Sequence, residues 1–193
     1  MQADWELEVG VDAPVIDTAW TGHVDLRTEP NRAHQLLEAI AFPALAEILI
    51  LLNSAASPVR TSKCDIWPIE NLEAIHIDRF DLEAGEEETS SLLGCYIDIL
   101  PRNEDRWNQP AHVEQIAKSL CARLKKVPLR CCRVDIVGRE TLLPLNSRGF
   151  GITAYWTASG CNVDAARRSL TAALHTFADA VISSGNHIKA KPG

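Results

Sequence analysis

What this chain lacks narrows it first. It has no surplus of basic residues: 19 Lys and Arg stand against 26 Asp and Glu, for a net charge of −7. A nucleic-acid binder neutralises phosphates with clustered Lys and Arg, so no nucleic-acid partner is expected. There is also no long apolar run. The most apolar segment, Ala44–Leu52, is far too short to span a bilayer, and no membrane partner is expected. Met1–Glu6 shows none of the basic and apolar blocks of an export signal, which points to a cytoplasmic protein. The six cysteines contain no Cys-x-x-Cys, and the neighbours Cys131 and Cys132 point to opposite faces of any strand. They read as reduced core thiols, with no zinc site, no other metal and no cofactor expected.

Catalytic signatures are missing too. Gly149-Phe150-Gly151 precedes a strand where a phosphate loop would open a helix. Ser159-Gly160-Cys161-Asn162 lies between strand and helix, where helix capping explains it without a ligand. His34, His112 and His175 are single helix histidines and read as surface residues.

What remains is an ordinary globular composition, 46% hydrophobic and 23% charged, long enough for one medium domain or two small fused ones. One line is said twice. Pro58-Val59-Arg60-Thr61-Ser62-Lys63-Cys64-Asp65-Ile66 returns as Pro128-Leu129-Arg130-Cys131-Cys132-Arg133-Val134-Asp135-Ile136. From Pro58 to Glu70, 5 of 13 positions are identical to their counterparts from Pro128 to Glu140, where average usage gives about one by chance. Each copy follows a helical segment, itself preceded by an apolar-Asp-apolar triplet, Val24-Asp25-Leu26 or Ile97-Asp98-Ile99. This spacing suggests an internal repeat.

Periodicity gives the elements. Strands are expected over Trp5–Val11, Trp20–Arg27, Val59–Ile69, Glu73–Phe80, Leu92–Leu100, Leu129–Leu142 and Phe150–Ala158. A helix enters at Thr28-Glu29-Pro30-Asn31 and runs to Asn53 on an apolar stripe that includes Leu36, Leu37, Ile40 and Leu45, with Pro43 breaking it near Ala39–Phe42. Two more helices follow, from Pro110 and from Val163, the last ended by Gly185. The fold class is α+β: two pseudo-repeated split β-α-β (ferredoxin-like) units, with mostly antiparallel sheet and helices on one face. Residues 1–80 form the first unit (β-β-α-β-β), 81–91 an acidic linker loop, 92–186 the second unit (β-α-β-β-α) and 187–193 a flexible tail, the two units packing as one domain. A single enlarged sheet carrying three helices is the alternative.

Strand alternation then sorts the chemistry. Cys64, Ile66, Cys132, Val134 and Ile136 fall toward the helices. Lys63, Asp65, Trp67, Asp98, Arg133, Asp135 and Tyr155 fall on the open face, as do His23, Asp25, Arg27, Tyr96 and Arg139. Those first seven are the candidate ligand-binding residues, expected to converge in one concave pocket, because charges and aromatics together make polar ligand sites. Cross-strand ion pairs on a wet sheet face would explain the same residues. The expected function is a non-catalytic binding or interaction protein that uses the open sheet faces or the acidic loop, its partner a small polar ligand or a basic protein. The alternative is an enzyme or sensor holding a small polar ligand in a cleft between two sheets.

Overall fold

Strand periodicity dominates the chain, and its strands gather into one sheet. The computed structural model describes residues 1–18, 22–69, 91–103, 107–142 and 148–187. Within them lie β1 (Gln2–Glu8), β2 (Ile16–Asp17), β3 (Val59–Pro68), β4 (Ser91–Pro101), β5 (Cys132–Leu142) and β6 (Arg148–Gly160). The order across the sheet is β1-β5-β6-β4-β3, with β2 also pairing to β5. β5/β6, β6/β4 and β4/β3 are antiparallel, while β1 and β2 run parallel to β5. The sheet is therefore mixed and mostly antiparallel. Both halves of the chain feed this one sheet among the described residues. β4 and β5 are linked through α3 (Pro110–Leu124), and β6 lies between them.

The described residues contain five helices: a 3-10 helix (Pro30–Gln35), α1 (Leu37–Ala41), α2 (Pro43–Asn53), α3 and α4 (Val163–His187). The expected break falls at Phe42, because Pro43 has no N–H to continue α1 and suits the first turn of a new helix. α2, α3 and α4 cover one face of the sheet and one another. Trp156 of β6 meets Phe177 of α4 edge-on at 4.9 Å, the Cys132 thiol donates to Ser169 O at 3.2 Å, and the Cys121 thiol to Ala3 O at 3.4 Å. Trp156, Phe177, Ile97, Ile136 and Leu120 are buried between the layers. Burying each such side chain stabilises the fold by about 1.5–3 kcal/mol.

Polar groups lock the strand ends. Arg102, just past β4, donates to the carbonyls of Asn53 and Ser54 at 2.6 Å each and of Ser57 at 3.0 Å, satisfying the C-terminal carbonyls of α2. Asn53 donates to Thr61 Oγ1 at 2.7 Å and accepts from Thr61 N at 3.1 Å. At the start of α4, Asn162 Oδ1 accepts from Ala165 N at 2.9 Å, the helix cap read from the sequence.

Several expectations are corrected. Gly22–Arg27 is not a strand, because the Asp25 carboxylate accepts from Arg27 N at 3.0 Å and Asp25 O accepts from Thr28 N and Glu29 N. Aspartate bonded to backbone two residues on makes a turn, so Asp25 and Arg27 pair locally and leave the sheet face. Leu37 and Ile40 were expected inward and are exposed, since the break at Leu36 rotates α1 off the stripe. α4 runs through Gly185 to His187. The strand expected over 73–80, the acidic residues 81–90 and the tail residues 188–193 lie outside the described residues.

Candidate functional site

Side chains of directly paired residues share a face, so the strand registers assemble the open face row by row. The central row is Asp65–Tyr96–Tyr155–Asp135–Asp4, one residue from each of β3, β4, β6, β5 and β1. On one side of it lies Trp67–Gly94–Thr157–Arg133–Gln2, and on the other Asp98–Thr153–Val137–Glu6. The helix-side rows, such as Ile66–Cys95–Trp156–Val134–Ala3, are apolar. Alternation thus places Asp65, Trp67, Asp98, Arg133, Asp135 and Tyr155 on the open side, as expected, while Lys63 lies in the register shift of β3 between Thr61 and Cys64.

The structure does not bring these residues to one pocket. Arg133, Asp135 and Tyr155 line a cleft of about 410 Å³ along β1, β5 and β6, together with Asp4, Glu6 and Arg139. Lys63 and Asp65 line a second cleft of about 270 Å³ at the β3 edge, with Glu38 and Tyr96. Trp67 and Asp98 line neither cleft. Aromatic rings bridge the gap: Trp67 to Tyr96 at 6.3 Å between centroids, Tyr96 to Tyr155 at 5.9 Å. The Trp67 indole lies against the Cα of Gly94, where any side chain would collide with it.

Charge on this face is organised around fixed pairs. Arg133 holds Asp135 at 2.8 Å, an arginine and its neighbour two residues on. Arg139 reaches Glu8 at 2.8 Å, donates to Tyr155 Oη at 2.7 Å, and lies 5.3 Å from that ring's centre. Asp98 is buried and accepts from Thr153 Oγ1 at 2.6 Å. Burial raises its pKa, opposed by that hydrogen bond and by Arg139 and Lys63. Burial, then Asp98 and Asp65, push the Tyr96 phenol up to about 12. His23 is lowered by burial and by Arg60. No group of three or more His, Cys, Asp or Glu among the described residues is arranged to hold a metal ion.

Sequence reasoning left Asp4, Glu6, Glu8, Glu38 and Ser62 off the candidate residues. The first three had a signal: Asp4, Glu6 and Glu8 alternate with Ala3, Trp5 and Leu7, and that alternation names the open face of β1. Glu38 had none, because it reaches the β3-edge cleft from a separate helix, α1.

No helix among the described residues is long and apolar enough to cross a membrane. No protein family, no curated protein and no solved structure matches the chain.

Proposed function

We propose that this chain is a non-catalytic binding protein and that the open sheet face is its recognition surface for a small polar ligand. The observation that carries the reading is the central row: two tyrosines flanked by aspartates, ending in a cleft on either side. Flat rings offer contact area at little cost in side-chain entropy, and fixed charges beside them orient a polar molecule. The arginines are held in place before any ligand arrives, which lowers the ordering cost of binding. The same strand order supports a ferredoxin-like reading of the fold, in which β3 takes the edge position beside β4 that a strand after α4 would fill.

A thermal-shift screen of polar metabolites and a basic peptide tests this, because a ligand that binds only the folded state raises the melting temperature. A hit in the β1–β5–β6 cleft should be lost in Tyr155→Ala and Asp135→Ala, and a hit in the β3-edge cleft in Tyr96→Ala and Asp65→Ala. A screen without hits, or hits unchanged in all four variants, would sink the reading. One observation favours the enzyme or sensor alternative. Asp98 is a buried carboxyl of raised pKa beside an aromatic surface, the environment that makes a proton donor. Turnover of a screen hit that stops in Asp98→Asn would decide for it.

A further inference from the structure

The β3-edge cleft has a lining unlike the rest of the face. Part of its lining is aliphatic: Val24, Leu26, Leu36 and Leu49. The rest includes both signs of charge, with Glu38 from α1 and Lys63 and Asp65 from β3. At this cleft β3 is bulged. Between Thr61, paired with Ile99, and Cys64, paired with Ile97, β3 uses one residue more than β4. A bulge bends a strand and re-aims its side chains, and here consecutive residues Ser62 and Lys63 both line the cleft. The buried Ser62 hydroxyl oxygen has no hydrogen-bond partner among the described residues. Cys64 lies at the same cleft; burial, then Glu38 and Asp65, push its thiol up to about 12. Asp98 adds to the same effect, and the thiol stays neutral.

A molecule complementary to this lining has a compact apolar body and a head bearing one positive and one negative group. We propose that the β3-edge cleft binds a free apolar α-amino acid, its ammonium at Glu38 and Asp65, its carboxylate at Lys63, and its side chain against the aliphatic residues. The cleft, about 270 Å³, lies just under the usual range of roughly 300–1,000 Å³ for drug-sized ligands, which favours an occupant of this size over a nucleotide or cofactor. A charged ligand side chain is rejected, since the aliphatic residues would strip its water without replacing it. The assignment rests on the binding reading above and names a ligand class for one end of the face.

Isothermal titration calorimetry of the full chain tests it with L-leucine, leucinamide (no carboxylate), 4-methylpentanoate (no ammonium) and glycine (no apolar body). L-leucine should bind, and each analogue should bind at least about tenfold more weakly, the scale of losing one charge-assisted contact. Glu38→Gln and Lys63→Gln should each weaken L-leucine similarly, and Arg133→Gln at the other cleft should not. Circular dichroism checks that the variants fold; if one does not, the other and the analogue series decide. The proposal is overturned by no binding of leucine, isoleucine or valine at millimolar concentration. It is equally overturned if leucine and its analogues bind alike, or if both cleft variants bind as the wild type does. A screen hit that is lost in Tyr155→Ala, with leucine silent, removes this assignment and leaves the broader reading standing.

Discussion

Arg139 donates to the phenol oxygen of Tyr155 at 2.7 Å, joining β5 to β6 across the open face. The same guanidinium donates to Glu8 at 2.8 Å, so a single side chain ties together β1, β5 and β6. The Arg139 side chain is 14% exposed and that of Glu8 32%, which leaves the pair only partly screened by water. Truncation in Arg139→Ala would strand the carboxylate and the phenol together. A loss of about 1.5–3 kcal/mol is expected in urea unfolding. Arg139→Lys keeps the charge but not the fork, and should recover only part of it. An Arg139→Ala protein within about 0.5 kcal/mol of wild type, the range of an ordinary surface change, would show that the fork is not structural.

Asp98 makes stability depend on pH in an unusual direction. Its pKa is raised in the folded state, chiefly by burial, so the folded chain binds its proton more tightly than the unfolded chain does. Where the folded state holds more protons, stability falls as pH rises. This loss begins near the ordinary carboxylate value of 3.8 and continues up to the raised one. Asp25 acts in the opposite sense. Its hydrogen bond to Arg27 holds it down at about 2, and its contribution disappears as pH drops from 3.8 through about 2. Asp98→Asn keeps an acceptor for Thr153 and removes the titration. Its unfolding free energy should exceed the wild-type value by a margin that widens as pH rises above about 4. Parallel pH profiles in urea titrations would refute this.

Much of the face was legible in the sequence because a strand has period two. Alternation alone sends Asp65, Trp67, Asp98, Arg133, Asp135 and Tyr155 to one side and Ile66, Val134 and Ile136 to the other. Convergence was not legible, because it depends on register and strand direction, which packing and connections set. The echoed aspartates Asp65 and Asp135 do share a row, with Tyr96 and Tyr155 between them. Their strands run oppositely, however, so Lys63 and Arg133 fall on opposite sides of that row. The repeated charge pair that looks like one site in the sequence therefore serves two clefts. The bulge at Ser62–Lys63 was equally hidden, since it is defined by the partner strand and not by the residues inserted.

Two glycines record close approach and should respond differently to alanine. A Cβ at Gly160 would overlap the backbone of Ala165 and Ala166, where α4 starts. Backbone cannot step aside without moving the helix, so Gly160→Ala should lower stability by about 2–3 kcal/mol. A Cβ at Gly94 would overlap the Trp67 indole, which is 38% exposed and can swing outward. Gly94→Ala should cost about 1 kcal/mol and change the near-ultraviolet circular dichroism as Trp67 leaves Tyr96. Equal losses in the two variants, with no spectral change at Gly94, would contradict this account.

The two edge strands carry the same device. On β1 the Asp4 carboxylate accepts from Trp5 N at 2.9 Å, and on β3 the Asp65 carboxylate accepts from Ile66 N at 2.7 Å. β1 and β3 end the strand order among the described residues, and N–H groups on an outer edge are a template for pairing with another chain. An aspartate folded back onto the following amide occupies that donor and sets a negative charge beside it. Asp4 and Asp65 belong to the same row, so the device blunts both edges at the same level of the sheet. Asp4→Ala and Asp65→Ala should leave the melting temperature nearly unchanged, since both residues are exposed, but should promote association with rising concentration. Asn at either position keeps the acceptor and should behave between the two. Sedimentation velocity over a concentration series reads this directly. A double Ala variant that sediments like wild type throughout the series would show that the edges are protected by other means.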